Sequence, residues 1–459
     1  MENKATGRRI SVLMLPWLAH GHVVPYLELA KELQERDFNI HFCSTPVILS
    51  FVESAYSSLL SQIHLVHISI PTAGYPELPP SRHSTKDLPR EHIFTLSKAF
   101  RHSAPIFSAI IDQIKPDLLI YDVFNSWAAG VAASQGIPAV CFCITGAASV
   151  SFADHLFEHH STAEYPFPGL YLRPHELKNL MENIGNIDQA EKLELIKPMV
   201  DSDRLVLMNT SQEIDGKYID YLSAVLGKTV VPTGPLIRIP GKNGAVAEVE
   251  KQRDAEILRW LDGKPKNSTL YISFGSEYYL STEEIQELAK GLELSGANFI
   301  WVLRFPAGKE IGIEEALPEG FLNRVNGRGV IVEKWAPQIK ILGHPSVGGF
   351  VMHCGWNSFL ESVHFGIPLI AIPMHSEQFI TARFAAELGI ATEVMRDEVG
   401  RLHREDIAEA VKKLMTEKAG EEMREKVRAL KEAMTSKRTQ EIDNAAALLS
   451  QLCCTLNVN

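Results

Sequence analysis

The sequence predicts an α/β protein made of two Rossmann-like domains that face each other across a cleft. The chain has 459 residues, 45% of them hydrophobic, which is more than one compact domain of ordinary size contains. Strand-like apolar runs alternate with helix-like segments, as in parallel sheets covered on both faces. This alternation stops near Gly234 and then begins again. Two such halves place a ligand cleft between the carboxyl ends of two sheets.

The first half shows the alternation from its start. A strand is predicted at 10–15 and a helix at 24–33, where apolar residues recur at helical spacing. Further strands of this half are predicted at 38–43, 117–121, 139–142 and 205–208. A Pro/Gly-rich polar stretch follows and predicts a linker at 238–252. This linker would join an acceptor-binding domain at 1–237 to a second domain at 253–435.

The second half repeats the pattern. Ser281, followed three residues later by Glu284, predicts a capping box at the start of a helix. Further strands are predicted at 269–274, 298–303, 330–332, 349–353 and 369–372. The tail at 404–452 is helical with alternating charges, which indicates solvated helix faces rather than a binding patch. Its last part, 436–459, is expected to pack back on the first domain.

The composition of the chain limits the cellular compartments and the classes of partner that we expect for this protein. A net charge of -11 and a pI of about 5.9 argue against nucleic acid and anionic membranes. The six cysteines show no CxxC or metal-finger spacing, which favours free thiols in a reducing compartment. The apolar run 10–19 imitates a secretory signal, but His20 and His22 follow it without a cleavage pattern. No run reaches the length of a membrane span, and we expect a cytoplasmic monomer.

One segment has the form of a phosphate-binding turn. A strand-like run ends at His353 and passes through Gly355 into an apolar-periodic helix, with Asn357 or Ser358 as the expected N-cap. Backbone N–H groups and the helix dipole at such a turn suit a diphosphate. Gly355 permits close approach, and His353 offers a hydrogen bond or a positive charge. A second strand–turn–helix places Ser276 for another phosphate contact.

Residues 335–378 resemble the 44-residue signature box of the plant secondary-product UDP-glycosyltransferases. The matching pieces are WAPQ at 335, GHPSVGGF at 343, HCGWNS at 353, LES at 360, GIP at 366 and SEQ at 376. The resemblance implies a fold of the GT-B type and a UDP-sugar as co-substrate. It implies neither a metal nor another cofactor.

The resemblance also implies a role for each matching residue. Trp335 stacks on uracil, which suits a flat apolar ring, and the Ala336 backbone reads the base edge. Gln338 and Glu361 bind ribose hydroxyls. Phosphate contacts are implied for His353, Asn357 and Ser358, and sugar contacts for Trp356, Glu377 and Gln378. In the family a final Gln is associated with glucose donors, whereas His375 and Glu377 depart from the commoner residues at their positions.

A catalytic base is expected near the first strand. A glycosyltransferase must deprotonate an acceptor hydroxyl, and histidine suits this task near neutral pH. The loop at 16–25 resembles the family's G-H-x-x-P pattern, which selects His22 rather than His20. A carboxylate would orient the imidazole. The family's Asp lies at the carboxyl end of a strand and matches Asp122, whereas Asp117 is expected to begin or cap that strand. The implied reaction is a single inverting displacement.

Two other patterns imitate metal sites, but we expect no metal at either of them. Asp201 and Asp203 imitate the D-x-D motif by which some glycosyltransferases hold a metal. His155, Glu158 and His159 match the H-x-x-E-H string of inverted zinc peptidases, which makes a zinc peptidase a remote alternative. A non-catalytic UDP-sugar-binding protein is another, and the expected base and its carboxylate argue against it.

Beyond the box, the chain is most similar to the plant branch that elongates sugars on small-molecule glycosides. The pieces are PWLAHGH at 16, HFCSTP at 41, PELPPSRHSTKDLP at 76 and SFGSEYYLS at 273. They imply transfer of glucose to a sugar hydroxyl of a flavonoid or terpenoid glycoside, with direct glycosylation of an aglycone hydroxyl as the alternative. Expected acceptor walls are Trp17, Phe124, Phe142 and His155, although several of these also suit the core.

Overall fold

The computed structural model divides the chain into two compact units. It describes residues 8–86, 88–159, 164–185, 197–239, 248–275, 279–305, 312–333, 335–375 and 377–456. The first unit comprises 1–147, 188–245 and 437–459, and the second comprises 148–187 and 246–436. Residues 148–187, which the sequence assigned to the first domain, therefore group with the second unit.

The first unit contains a seven-stranded parallel sheet in the order β3-β2-β1-β4-β5-β6-β7. The strands are β1 (Ile10–Leu15), β2 (Phe38–Ser44), β3 (Ile63–His67), β4 (Leu118–Asp122), β5 (Ala139–Cys143), β6 (Leu205–Met208) and β7 (Thr229–Pro232). The chain winds outward from β1 to β3 and then crosses back to β4. The topological switch point therefore lies between β1 and β4, where open α/β sheets bind ligands at their carboxyl ends.

The first long helix begins earlier than predicted. It spans His20–Gln34, because the N–H groups of His22 and Val23 both donate to the Ala19 carbonyl at 2.9 Å. His22 therefore lies in the first turn of a helix rather than in a loop. The other helices up to residue 226 are Pro46–Ala55, Ile93–Arg101, Ala104–Ile114, Ser126–Ser134, Ala147–His159, Pro174–Gly185, Lys197–Val200 and Gln212–Leu226, with short 3-10 turns at Ser57–Leu59, Pro80–Arg82 and Arg90–His92.

The second unit contains a six-stranded parallel sheet in the order β10-β9-β8-β11-β12-β13. The strands are β8 (Thr269–Ser273), β9 (Asn298–Leu303), β10 (Gly329–Glu333), β11 (Val347–Met352), β12 (Leu369–Ala371) and β13 (Ala391–Glu393). Its switch point lies between β8 and β11. Both of these strands are buried along their whole length, which explains their near-continuous apolar sequence.

The predicted capping box is present at the start of the helix Thr282–Ser295. The Ser281 hydroxyl accepts from the Glu284 N–H at 3.2 Å, and the Glu284 carboxylate accepts from the Ser281 N–H at 2.9 Å. The other helices from residue 248 onward are Glu248–Asp262, Ile313–Ala316, Phe321–Arg324, Gln338–Leu342, Trp356–Phe365, Glu377–Glu387, Arg404–Thr416 and Lys418–Leu456. The first of these begins inside the predicted linker, whose residues 240–247 lie outside the described part of the chain.

The final helix continues into the first unit. There Asp443 pairs with Arg36 at 2.7 Å, and Arg438 pairs with Glu32 at 2.5 Å. All six cysteines are free, and five of them are buried. Across the described residues, no helix combines the length and apolar character that a membrane crossing requires.

Candidate active site

His22 and Asp122 meet at the switch point of the first sheet. The His22 Nδ1 atom lies 2.8 Å from Asp122 Oδ2; the aspartate side chain is fully buried and that of the histidine is 17% exposed. The second aspartate oxygen accepts from the Phe124 N–H at 3.1 Å. A carboxylate only accepts hydrogen bonds, so the His22 proton belongs on Nδ1. This leaves the Nε2 lone pair to accept a proton.

Asn125 connects the two strand ends that bear this pair. Asp122 is the last residue of β4, and the turn after it brings the buried Asn125 amide within 3.1 Å of the Leu15 carbonyl at the end of β1. The carboxyl ends of the two strands are thereby joined directly behind the His22–Asp122 pair. Sequence reasoning missed Asn125, because one polar residue after a strand is also what an ordinary turn contains.

The two competing candidates are placed elsewhere. His20 stacks on Phe51, with ring centroids 4.1 Å apart. Asp117 precedes β4 and accepts from the Ser11 N–H at 2.8 Å, as expected of a residue that begins the strand. The structure therefore brings together one His–Asp pair of the four combinations that the sequence offers.

The predicted acceptor walls have different surroundings. The Phe124 ring is 43% exposed and lies 5.4 Å from the His22 ring. Trp17 is 5% exposed and packs against Phe124. Phe142 has no exposed surface within β5 and belongs to the core, so the expectation that it lines a pocket is wrong. His155 lies in the second unit and is also buried.

Several predicted donor-binding side chains form one hydrogen-bonded cluster in the second unit. Gln338 Nε2 lies 2.5 Å from Glu361 Oε2 and 3.1 Å from Ser358 Oγ. Burial raises the pKa of the Glu361 carboxyl to about 7, and the hydrogen bond from Gln338 opposes this rise. The Tyr271 hydroxyl donates to Gln338 Oε1 at 3.2 Å. Tyr271 was missed, since it lies outside the signature box in a strand that reads as core.

The His353 imidazole is enclosed by backbone at the switch point between β8 and β11. A Cβ atom added at Gly275 would lie 2.7 Å from its Cε1 atom, and one added at Gly355 would lie 2.6 Å from its Nε2 atom. Both glycines therefore make room for this ring. Burial lowers the pKa of His353 to about 4, against a hydrogen bond to the Ser273 backbone. Of the two predicted roles, the neutral ring suits a hydrogen bond rather than a positive charge.

The helix after this turn begins differently from the prediction. It starts at Trp356 with Gly355 as the N-cap, so Asn357 and Ser358 are its second and third residues, and the expectation that one of them caps it is wrong. The extended backbone of Gly355 takes the N-cap position because Cys354 makes the turn, with a φ of 66°. The Trp356 indole is buried and stacks on Phe359 at 4.9 Å. A sugar contact at Trp356 thus falls to its backbone.

Trp335 and Ala336 begin the signature box with opposite exposure. Trp335 is 62% exposed, which is unusual for a tryptophan and leaves its flat ring open to a planar partner. Ala336 is buried, so only its backbone groups are suited to a contact. Ser276, the other predicted phosphate contact, lies outside the described residues.

The end of the box starts the helix Glu377–Glu387. Glu377 is exposed and Gln378 is buried. The Gln378 Oε1 atom accepts from the N–H groups of Met374 and His375 at 3.1 and 3.3 Å. Gln378 therefore shapes the loop before the helix in addition to any contact that its amide makes with a sugar.

Comparison with known proteins identifies this arrangement. Residues 235–445 match the family described as UDP-glucoronosyl and UDP-glucosyl transferase, and residues 8–238 match the N-terminal domain of a glycosyltransferase family. The chain is 44% identical to UDP-glucosyltransferase 29 of Panax ginseng, over 97% of both chains. It is 43% identical to the β-D-glucosyl crocetin β-1,6-glucosyltransferase of Gardenia jasminoides, over 96% of this chain and 98% of that protein. This chain belongs to the UDP-glycosyltransferase family.

Solved structures agree with this assignment of a UDP-glycosyltransferase. A UDP-glucosyltransferase from Polygonum tinctorium, described as capable of glucosylating indoxyl, matches with a TM-score of 0.78 and 29% identity, over 96% of this chain and 99% of that one. The predicted α/β fold of the GT-B type, with two Rossmann-like domains, is confirmed, and so is the predicted enzyme class. The zinc peptidase alternative is wrong.

The metal-like motifs of this glycosyltransferase have other surroundings. Asp203 Oδ2 accepts from the Ala139 N–H at 2.7 Å, at the amino end of β5 and thus at the edge opposite to His22. The His155 and His159 rings lie 4.4 Å apart. Throughout the described ranges, His, Cys, Asp and Glu side chains form no group of three or more that could hold a metal ion.

Proposed function

We propose that this UDP-glycosyltransferase transfers glucose from UDP-glucose to a sugar hydroxyl of a flavonoid or terpenoid glycoside, with inversion at the anomeric carbon. The observation that carries the proposal is the 2.8 Å contact between His22 Nδ1 and the buried Asp122. Similarity to the Gardenia enzyme, whose name gives a glucosylated acceptor, supports a glycoside. Gln378 at the end of the signature box supports glucose.

The proton transfer follows from the His22–Asp122 geometry. Asp122 accepts the Nδ1 hydrogen, so Nε2 takes the proton of the acceptor hydroxyl as that oxygen attacks the anomeric carbon. The bond between this carbon and the diphosphate oxygen breaks, and UDP leaves with its electron pair. Asp122 stabilises the imidazolium that His22 becomes. Attack opposite the leaving group converts an α-linked donor into a β-linked product.

The donor is held by groups that suit its separate parts. Trp335 offers an exposed ring for uracil, and the Gln338–Glu361 cluster offers hydrogen-bonding groups for ribose. The neutral His353 donates a hydrogen bond to a phosphate oxygen. The N–H groups at the start of the helix Trp356–Phe365 face the charge that develops on departing UDP. We propose that these donors fill the role that a metal ion fills in other transferases.

Several narrower assignments belong to the same proposal. Ser276 makes a further phosphate contact, while Glu377, Gln378 and the backbone of Trp356 contact the transferred sugar. Phe124, beside His22, and the neighbouring Trp17 contribute to the acceptor pocket. The enzyme acts as a monomer, and it acts in the cytoplasm, which its six free cysteines support.

Product analysis tests this proposal directly. The enzyme is incubated with UDP-glucose and matched pairs of aglycones and their monoglucosides, and the products are identified by mass spectrometry and NMR. We expect a second, β-linked glucose on the monoglycosides and little conversion of the aglycones. Efficient conversion of the aglycones alone would instead assign the enzyme to direct glycosylation. Parallel reactions with UDP-rhamnose and UDP-glucuronic acid test the donor, and preference for either would contradict the glucose assignment.

A further inference from the structure

Four charged side chains outside the proposed chemistry, two of them buried and two partly buried, form one ion cluster in the second unit. The Arg383 guanidinium lies 2.5 Å from Glu176 Oε1 and 3.1 Å from Glu393 Oε1. Arg173 donates hydrogen bonds to both carboxylate oxygens of Glu393, at 2.7 and 3.2 Å, and to Glu176 Oε1 at 3.1 Å. Glu176 is 1% exposed and Arg383 is 3% exposed. Two positive and two negative charges thus balance in a largely dry environment.

Such a cluster is poorly explained by stability alone. Removing two opposite charges from water costs more than their attraction often returns, so apolar side chains of similar size usually serve a core as well. Its geometry, by contrast, is highly specific, because planar guanidinium groups fix the angle as well as the distance of their partners. The Tyr171 ring lies 5.2 Å from the Arg383 guanidinium and covers the cluster further.

The ion cluster contacts the helix Glu377–Glu387, whose first two residues are the proposed sugar-binding residues Glu377 and Gln378. Arg383 Nη1 donates to the Phe379 carbonyl at 3.0 Å, one residue after Gln378. On the same helix, Thr381 Oγ1 donates to the Glu377 carbonyl at 3.1 Å and lies 3.3 Å from the Ser149 hydroxyl. The side chains of Arg383 and Thr381 thus both donate hydrogen bonds to carbonyl groups in the first turn of the helix Glu377–Glu387.

We propose that Glu176 and Arg383 are positioning residues for recognition of the donor sugar. Through the Phe379 carbonyl they fix the first turn of the helix, and with it the orientation of Glu377 and Gln378. The inference rests on the proposed role of those two residues in sugar binding. It assigns control of the donor sugar to Glu176, a residue that lies far before the signature box in the sequence.

The test replaces the ion pair without leaving a buried charge unpaired. The double variant Glu176→Leu/Arg383→Leu removes one charge of each sign and leaves Arg173 paired with Glu393. We expect it to fold, with kcat/KM for UDP-glucose lowered by about ten- to hundredfold, as for a misplaced contact group. In calorimetry its affinity for UDP-glucose should fall by a similar factor, whereas its affinity for UDP, which lacks the sugar, should match that of the wild-type enzyme.

Two further variants keep the test decisive. Glu287→Leu/Arg404→Leu removes another ion pair of this unit, whose atoms lie 2.6 Å apart and whose residues belong to the helices Thr282–Ser295 and Arg404–Thr416, outside the signature box. It should leave the affinities for UDP and for UDP-glucose unchanged. Arg383→Lys keeps the charge, but an ammonium group cannot bridge the acceptors as the planar guanidinium does. This variant replaces the double variant if the latter does not fold, and we expect it to lower kcat/KM for UDP-glucose by a smaller factor.

The outcomes separate this inference from the proposed function. Equal weakening of UDP and UDP-glucose, or lowered melting temperature with unchanged kcat/KM, would show a purely structural role and overturn it. Failure of the wild-type enzyme to act on glycosides would instead contradict the proposed acceptor. The comparison of UDP with UDP-glucose binding needs no acceptor and would still decide the positioning role.

Discussion

Each of the two sheets places a histidine beside its topological switch point, and the two histidines have contrasting neighbours. His22 meets the buried Asp122 carboxylate and keeps 17% of its side chain exposed. His353 is enclosed by the backbones of Gly275 and Gly355, and burial lowers its pKa to about 4. A neighbouring carboxylate stabilises the imidazolium that forms when a histidine acts as a base. Burial among backbone atoms instead favours the neutral form of the imidazole. The same residue type is thereby suited to proton transfer in one sheet and to ligand binding in the other.

Removal of the base should have the largest effect. In His22→Ala no imidazole accepts the proton of the acceptor, and we expect kcat to fall by about a thousandfold, within the range for general bases. UDP affinity should stay at the wild-type level. Rapid-quench transfer assays and calorimetry measure the two quantities on the same preparation, and a full transfer rate in this variant would exclude His22 as the base.

Removal of the partner charge should have a smaller effect. In Asp122→Asn the amide can donate to His22 Nδ1, which would place the ring proton on Nε2 and remove the lone pair that acts as base. We expect kcat to fall by about a hundredfold while the melting temperature changes little, since the side chain keeps its shape. Asp117→Asn, at the opposite edge of the sheet, is the matched control. Equal losses in both variants would refute the orienting role.

A larger side chain beside His353 should weaken binding of the donor rather than slow the transfer step. A methyl group at residue 355 would lie 2.6 Å from His353 Nε2, so Gly355→Ala must displace the ring. We expect UDP affinity to fall by about tenfold, as for overpacking of a tight site. Gly130→Ala is the control, because a Cβ atom there meets nothing within 4 Å. Unchanged UDP affinity in Gly355→Ala would show that the enclosure of His353 has no part in donor binding.

The smallest predicted effect on ligand binding concerns the ribose site. The pKa of Glu361 is raised from 4.5 to about 7, so its carboxyl is mostly protonated at pH 6 and ionised at pH 8. An ionised acceptor binds ribose hydroxyls more strongly, so wild-type affinity for UDP should rise by about fivefold over this interval relative to Glu361→Gln. Dividing the UDP affinity of the wild-type enzyme by that of Glu361→Gln removes the effect of the titration of UDP itself. If this ratio did not change with pH, the assignment of Glu361 to the ribose site would be contradicted.

The folding free energy should depend on the same group with a defined sign. Since its folded pKa exceeds its unfolded one, Glu361 favours folding below about pH 4.5, and this contribution is lost as the pH rises through about 7. Glu361→Gln should therefore gain stability over the wild-type protein with rising pH, by at most about 3 kcal/mol. Urea unfolding at pH 5 and pH 8 measures the change, and a gain at pH 5 as large as or larger than the gain at pH 8 would contradict it.

The sequence predicted the central strands well and the edges poorly. Interior strands of a parallel sheet are buried on both faces, so β1, β8 and β11 read as continuous apolar runs. Of the four edge strands only β10 was predicted, whereas β3, β7 and β13 were not, because they are short and partly exposed and give a weaker apolar signal. Edge position therefore explains much of what the predicted fold lacked.

The proposed site divides in a similar way. The choice of His22 and Asp122 came from the resemblance to the family's motifs, and the structure brings these two side chains within 2.8 Å of each other. The enclosure of His353 by Gly275 could not be predicted, since the contact joins segments that only the strand order brings together. Phe142 was assigned to a pocket because composition cannot distinguish the two faces of a buried strand.

A crossed comparison of the two histidines tests the central claim most directly. UDP affinity and the transfer rate at saturating donor are measured together in His22→Ala and in His353→Ala. We expect His22→Ala to lose its transfer rate and keep its UDP affinity, whereas His353→Ala should lose UDP affinity by a larger factor than transfer rate. If both variants lost both properties in equal proportion, the division of roles between the two switch points would be contradicted.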